Sequence, residues 1–497
     1  MSSPLKVRVR AAALAAAVAV LAGAPLAQAA PLTNLPQTTY TFTGGDTGAQ
    51  PNTGLVLAKD GYFYGTTESS VAYNSQIVWN YYGGIYRVKP DGSGFQVMHT
   101  FTGKADSGLP AAKVLVAKDG AIYGTASSGQ LGHVGQYGTI WKLTTDGQFS
   151  VLHTFGGPEG AYPGVALVQD PASGLLYGAT GGGGSGNHGV IFSIKTDGSA
   201  YKVRHEFFDD VNGATPIGLV FGTDGNLYGA TARCFNCGTE NYGTTFSLKP
   251  NGNAFKVLHR FSPADGEGQN PHSGLVQVGN WFYGTTNGGG QYGDDMGTVY
   301  RFDAKGHFAT VLSLQYLVEG SYPTSGLTVG ANGNLYGTTT GWGPDQFTGS
   351  FYEITPKGEV VGVEPLTNVG YQAQADFATG PDGRLYAPLL VGGAWGAGVI
   401  AAVGQAFDAV PAPAPAVDFH LSPQPPVITL GQSATLTWTV TDADTCTASG
   451  SWAGNKALSG TEVETPTAAG QYTYTLTCTN KGTPTTVSNN LFVNPAQ

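Results

Sequence analysis

The chain has 497 residues with a formal net charge of −10, only 11% charged residues, 11% aromatic residues and 76 glycines. So few charges beside so many aromatics exclude a disordered chain, and the glycines point to many tight turns. The acidic balance, with no basic stripe, argues against nucleic-acid binding and against attraction to anionic membranes.

In chain order, residues 1–30 read as a secretory signal. Lys6, Arg8 and Arg10 form a basic head, Ala11 to Leu26 an apolar run, and Ala27-Gln28-Ala29 a small-x-small cleavage pattern. No later stretch approaches a spanning length, so an exported protein without membrane insertion is expected, extracellular, at the cell surface or periplasmic.

From residue 31 to 404 one unit recurs. Its most constant part is an aromatic or aliphatic residue followed by Tyr-Gly-Thr or Tyr-Gly-Ala. The tyrosines are Tyr64, Tyr123, Tyr177, Tyr228, Tyr283, Tyr336 and, in a degenerate Tyr386-Ala387 copy, Tyr386. Each unit divides into four short strand-like runs. An apolar run such as Gly54-Leu55-Val56-Leu57 leads through a hairpin pair such as Asp60-Gly61 into the tyrosine motif. A third run such as Gly138-Thr139-Ile140-Trp141 and a second hairpin pair such as Asp146-Gly147 then lead to a fourth, Val151-Leu152-His153-Thr154-Phe155. The seventh unit has its third run, Gly398 to Val403, but no convincing fourth, whereas the chain start carries an orphan fourth run at Thr39 to Gly44. Pairing the two closes a ring and removes a raw sheet edge. The expected fold is all-β: a seven-bladed β-propeller closed by an N-terminal strand, followed by a small immunoglobulin-like β-sandwich.

The tyrosine motif, the Gly-Thr-(Val/Ile)-(Phe/Tyr) run and the Leu-His-x-Phe run resemble the GloVer tandem-repeat family of exported bacterial proteins, over residues ~38–404. That resemblance implies a repeat architecture with a variable C-terminal module and carries no reaction with it.

After the repeats, residues 405–426 are proline-rich and read as a linker. Residues 427–497 alternate as the strands of a small sandwich resembling bacterial immunoglobulin-like modules. Cys446 and Cys478 are its only cysteines, and a disulfide between them is expected. A local disulfide is also expected between Cys234 and Cys237, since a zinc site would need two more ligands and a redox site a helix N-terminus.

Candidate chemistry divides by whether it obeys the repeat. His99, His153, His205 and His259 fall at one position of successive units and read as packing residues. The acids Asp46, Asp106, Glu159, Asp210, Asp265 and Glu319 read first as turn chemistry, and second as a ring that could hold a cation or sugar hydroxyls. Two glycine patterns of dinucleotide type, at Gly181 and Gly288, open no helix and are discarded. Residues that break the repeat on the loop face are the expected ligand-binding set: Trp79, Tyr81, His133, His188, Arg233, Tyr242, His272, Asp295, Trp342 and Trp395. Flat aromatic faces with carboxylates and amides suit a carbohydrate, although such side chains also pack between neighbouring units.

The expectation is a secreted or surface-associated, monomeric binding protein for a polysaccharide or cell-surface protein ligand, with no cofactor and no metal. The alternative is an exported polysaccharide-degrading enzyme. A hydrolase needs two convergent carboxylates, and a lyase needs a base beside a cation, for which His188, Arg233 and Tyr242 are the candidates.

Overall fold

A computed structural model describes residues 36–496 except 45–47, 69–81, 111, 128–136, 209–211, 233–241, 263–265, 294–295, 342, 344–347, 368, 395, 405–414, 442 and 480–483. The expected signal segment and the pair Cys234 and Cys237 lie outside the described residues. No helix among those described is long and apolar enough to cross a membrane.

Between residues 37 and 403 the described strands form seven antiparallel sheets. The first comprises Val56–Leu57, Phe63–Thr67, Gly84–Val88 and Gln96–Thr100, and the second Leu115–Val116, Ile122–Ala126, Thr139–Leu143 and Phe149–Thr154. The third takes Val168–Gln169, Leu176–Ala179, Val190–Ile194 and Lys202–Glu206; the fourth Pro216–Phe221, Leu227–Thr231, Thr244–Leu248 and Lys256–Arg260. In the fifth, Gly268–Pro271 and Val276–Val278 both pair with Trp281–Gly289, which continues to Thr298–Asp303 and Phe308–Ser313. The sixth is Thr328–Val329, Leu335–Thr338, Ser350–Ile354 and Val360–Pro365. The seventh joins Ala378–Thr379, Leu385–Leu389 and Val399–Val403 to the first strand of the chain, Gln37–Thr41.

That last pairing runs Gln37 against Ala402 to Thr41 against Val399. One hydrogen bond shows that it completes a unit. The N–H at the end of each fourth strand donates to the glycine carbonyl opening the third: Phe101 to Gly83 at 3.1 Å, Phe155 to Gly138 at 3.0 Å, Phe207 to Gly189 at 2.9 Å. Phe42 donates to Gly398 at 3.0 Å in the same way. The apolar cores follow the same order, each drawing on two consecutive sheets. Ile140 and Phe155 of the second pack with Leu176 and Phe192 of the third. Phe42, Tyr386 and Ile400 of the seventh pack with Phe63 and Tyr86 of the first.

The recurring Tyr-Gly pair has a steric cause. A Cβ on Gly124 would lie 2.2 Å from Trp141 Cζ2, and one on Gly337 2.3 Å from the Tyr352 ring, because the third-strand aromatic lies across the glycine. In the seventh sheet the facing residue is Ala401, so Ala387 fits and the motif degenerates. The tyrosine hydroxyl ties this strand to its hairpin: Tyr64 donates to Asp60 at 2.8 Å and Tyr123 to Asp119 at 2.6 Å. Burial, with that carboxylate next to it, pushes the Tyr64 phenol up to about 12.

Ala416–Ser422, Ala434–Thr441 and Ser459–Glu464 form one sheet of the tail, and Val427–Thr429, Thr485–Asn494, Gly470–Thr479, Thr445–Gly450 and Gly454–Lys456 the other. Phe419, Leu436, Trp438, Tyr474 and Leu491 share their core. Ala416–Ser422 falls where a linker was expected. Its Phe419 and Leu421 alternate inward, and that apolar pattern outweighs the flanking prolines. Cys446 and Cys478 are disulfide-bonded between neighbouring strands of one sheet.

Candidate functional site

Each unit enters its first strand through a residue held in the left-handed region. These are Gln50, Leu109, Tyr162, Thr215, Asn270, Tyr322 and Gln372, with φ of 59, 55, 58, 54, 55, 55 and 60°. Non-glycine residues rarely adopt this conformation, and here neighbours impose it. The N–H of Tyr162 donates to Tyr137 O at 2.8 Å, that of Thr215 to His188 O at 2.9 Å, and that of Asn270 to Tyr242 O at 3.0 Å. The carbonyl partners all sit just before the glycine that opens a third strand. The start of each of these three units is thereby stitched to the preceding one.

Just beyond these residues the seven sheets share a pocket of about 670 Å³, to which all seven contribute. One lining position repeats: Gly54, Lys113, Ala166, Gly218, Gly274, Gly326 and Asp376. Five are glycine or alanine, which keeps the walls close; a Cβ on Gly218 would lie 2.7 Å from Gly274 Cα. The two exceptions carry opposite charges and meet, with Lys113 Nζ 3.6 Å from Asp376 Oδ2 and both side chains about one-third exposed (29% and 30%). Glycines make room for the pair. The lysine stem lies over Gly54, where a Cβ would be 2.9 Å from Lys113 Cδ. Asp376 Oδ1 accepts the Gly326 N–H at 2.6 Å, leaving no space for a side chain there. The carboxylate is therefore anchored by backbone. The ammonium, at 3.6 Å, is ion-paired but beyond hydrogen-bond distance, so its donors remain available to a ligand.

Further polar groups surround the pair. His272 is exposed on the pocket wall, its Nδ1 3.3 Å from Thr324 O. Asn52 Oδ1 and Thr324 Oγ1 are buried without a hydrogen-bond partner among the described residues. Tyr162 leaves half of its surface (51%) open at the rim.

Of the residues expected from sequence, His272 alone among those described lines this pocket. His188 and Tyr242 do not, and they do not break the repeat. With Tyr82 and Tyr137 they occupy one position, whose carbonyl holds the next unit. Tyr242 also packs against the core between the fourth and fifth sheets. Trp79, Tyr81, His133, Arg233, Asp295, Trp342 and Trp395 lie outside the described residues. Lys113 and Asp376 escaped the sequence reading, although aligning the seven units on the residue before the first strand's leucine, valine or phenylalanine isolates both.

The recurrent histidines pack as expected. His99 stacks on Phe149 of the next sheet at 3.6 Å, His153 on Tyr201 at 4.0 Å, His205 on Phe255 at 3.9 Å and His259 on Phe308 at 3.6 Å. Tyr40 takes the same place on Phe95 at 4.3 Å. Two acids of the turn meet these rings, Asp106 with His99 at 3.2 Å and Glu159 with His153 at 3.9 Å, whereas Glu319 faces no histidine and Asp46 and Asp210 lie outside the described residues. For His259 the partner is Glu267, at 2.9 Å, whereas Asp265 lies outside the described residues. Burial pushes the His99 and His153 imidazoles below their ordinary range, with Asp106 and Glu159 pulling the other way.

Fold and site together define a repeat-built all-β protein with one asymmetric polar pocket shared by seven sheets. The chain belongs to the Gloeobacter/Verrucomicrobia repeat family, whose profile matches residues 27–234 and 208–401. No curated protein sequence matches it. Among solved structures it is similar to the extracellular domain assigned to a hybrid two component system of B. thetaiotaomicron, at 11% identity and a TM-score of 0.47. That match covers 94% of this chain and 58% of the other, so the chain spans less than two thirds of it. It is also similar to the GH74 xyloglucanase of Xanthomonas campestris, at 15% identity, 71% and 52% coverage and a TM-score of 0.46. PorZ, a surface component of the type-IX secretion system of Porphyromonas gingivalis, gives 10% identity, 88% and 64% coverage and a TM-score of 0.34. No activity follows from likenesses of this order.

Proposed function

We propose that this is an exported glycan-binding protein, in which residues 31–404 form a closed seven-bladed β-propeller and the tail an immunoglobulin-like module. The ligand is a neutral, diol-bearing sugar held at the mouth of the central channel. The observation that carries this reading is the breaking of a small-residue ring at two positions only, by Lys113 and Asp376, which face each other. A vicinal diol matches such a pair. One hydroxyl donates to the anchored carboxylate while its neighbour accepts from the ammonium. Tyr162 supplies a flat apolar face, and His272, Asn52 and Thr324 supply further polar groups, in a volume typical of small-molecule sites. Asp376 is the one carboxylate among the described residues lining the pocket, which favours binding over a hydrolase that needs two.

The test is a panel of neutral and uronic oligosaccharides, with equilibrium binding and product analysis on the same samples. Binding of neutral sugars without product is the expected result. Product formation, or no sugar bound at all, would overturn the reading.

A further inference from the structure

A second pocket, of about 560 Å³, opens beside the fourth strand of the fifth sheet, away from the channel. Its origin is a broken pair. In three other units a fourth-strand histidine faces the acid of the following turn: His99 with Asp106, His153 with Glu159 at 3.9 Å, His259 with Glu267. The fifth unit keeps the acid, Glu319, but has Leu312 where the histidine stands. The register is fixed by the Leu314 N–H, which donates to Gly297 O at 3.0 Å as Phe101 does to Gly83. Glu319 is only 5% exposed, and one carboxylate oxygen accepts the Gln315 N–H at 3.1 Å. No described cation lies against it, and burial raises its carboxyl above the ordinary range. A buried carboxylate without a counter-charge is costly, and leucine cannot relieve it.

We infer that this pocket binds an organic cation, an ammonium or guanidinium on an apolar stem, through Glu319. The pocket takes the place of the absent imidazole ring. Val311 and Leu312 offer the stem an apolar wall, Ser313 and Gln291 offer hydrogen bonds, and the half-exposed Tyr292 ring offers a π-face to the cation. Such a group could belong to a free amine or to an arginine or lysine of a protein partner, since both present the same chemistry.

The experiment uses the full chain with two probes, butylguanidinium and a capped Ala-Arg-Ala peptide, titrated against wild type, Glu319→Gln and Leu312→His. Both probes bind wild type saturably, and a tighter peptide identifies a protein source. Glu319→Gln weakens binding at least about tenfold, as expected on losing a charged partner. Leu312→His rebuilds the pair of the other units, so it blocks the probes while the melting temperature holds or rises. Should that variant fail to fold, Glu319→Gln with an unchanged circular dichroism spectrum carries the test. Absence of saturable binding to wild type below about 10 mM, or equal binding to Glu319→Gln, would overturn the inference.

Discussion

Replacing Phe42 by alanine tests whether the sheets close into a ring. Phe42 is fully buried, its ring 5.1 Å from Tyr40, 5.1 Å from Tyr86 and 5.8 Å from Phe95, so it bridges the seventh and first sheets. Truncating a phenylalanine in such a place removes its transfer energy and leaves a cavity, together roughly 3–5 kcal/mol. Phe155 is the internal control: it holds the same position in the second sheet, is 1% exposed, and packs on Phe192 and Tyr201. In a closed ring the two substitutions cost similar amounts. In an open array Phe42 would belong to a fraying chain end and cost less than about 0.5 kcal/mol. Urea unfolding of both variants beside wild type, followed by tryptophan fluorescence, gives the comparison. A Phe42→Ala protein as stable as wild type beside a destabilised Phe155→Ala protein would refute ring closure.

Other outcomes follow from the same geometry. Gly124→Ala drives a Cβ into Trp141 and should cost about 1–3 kcal/mol by urea unfolding. Ala387→Gly, made where the motif already tolerates a side chain, should cost about 1 kcal/mol or less. Because burial holds the His99 and His153 imidazoles below their ordinary range, the unfolded chain takes up protons first as pH falls. Stability should therefore drop between about pH 7 and pH 5, and a His99→Gln/His153→Gln variant should show a shallower drop in the urea midpoint. Replacing Cys446 and Cys478 by serine opens a loop with a sequence separation of 32. It should cost the tail roughly 3–4 kcal/mol in chain entropy, read as an earlier calorimetric transition.

The framework of the chain was legible because its local chemistry repeats. Asp-Gly pairs mark hairpins, and the Tyr-Gly motif marks strands where an aromatic must lie across a glycine. The orphan run at Thr39 to Gly44 has the pattern of a fourth strand and pairs as one, Tyr40 replacing the histidine. The candidate site was much less legible, for two physical reasons. Residues such as His188 and Tyr242 vary in identity while serving one backbone role, since a carbonyl can be supplied by any side-chain type. Variation there mimicked a broken repeat. Lys113 and Asp376, which do break it, stand 263 positions apart in the chain and meet only because the seventh sheet neighbours the first, across whose Gly54 the lysine stem reaches from the second. Composition around either residue gives no hint of the other. Glu319 was read with the other acids, because its lost partner is visible only once Leu312 is placed in the histidine's register.

The most direct test of the proposed function is the affinity of a bound neutral oligosaccharide for wild type, Asp376→Asn and Asp382→Asn. Asp382 sits at the hairpin end of the same strand pair, where it accepts the Tyr386 hydroxyl at 2.8 Å and does not line the channel pocket. A roughly tenfold to hundredfold loss is expected for Asp376→Asn and no change for Asp382→Asn. Equal affinity in all three proteins would rule out sugar binding at the Lys113–Asp376 pair.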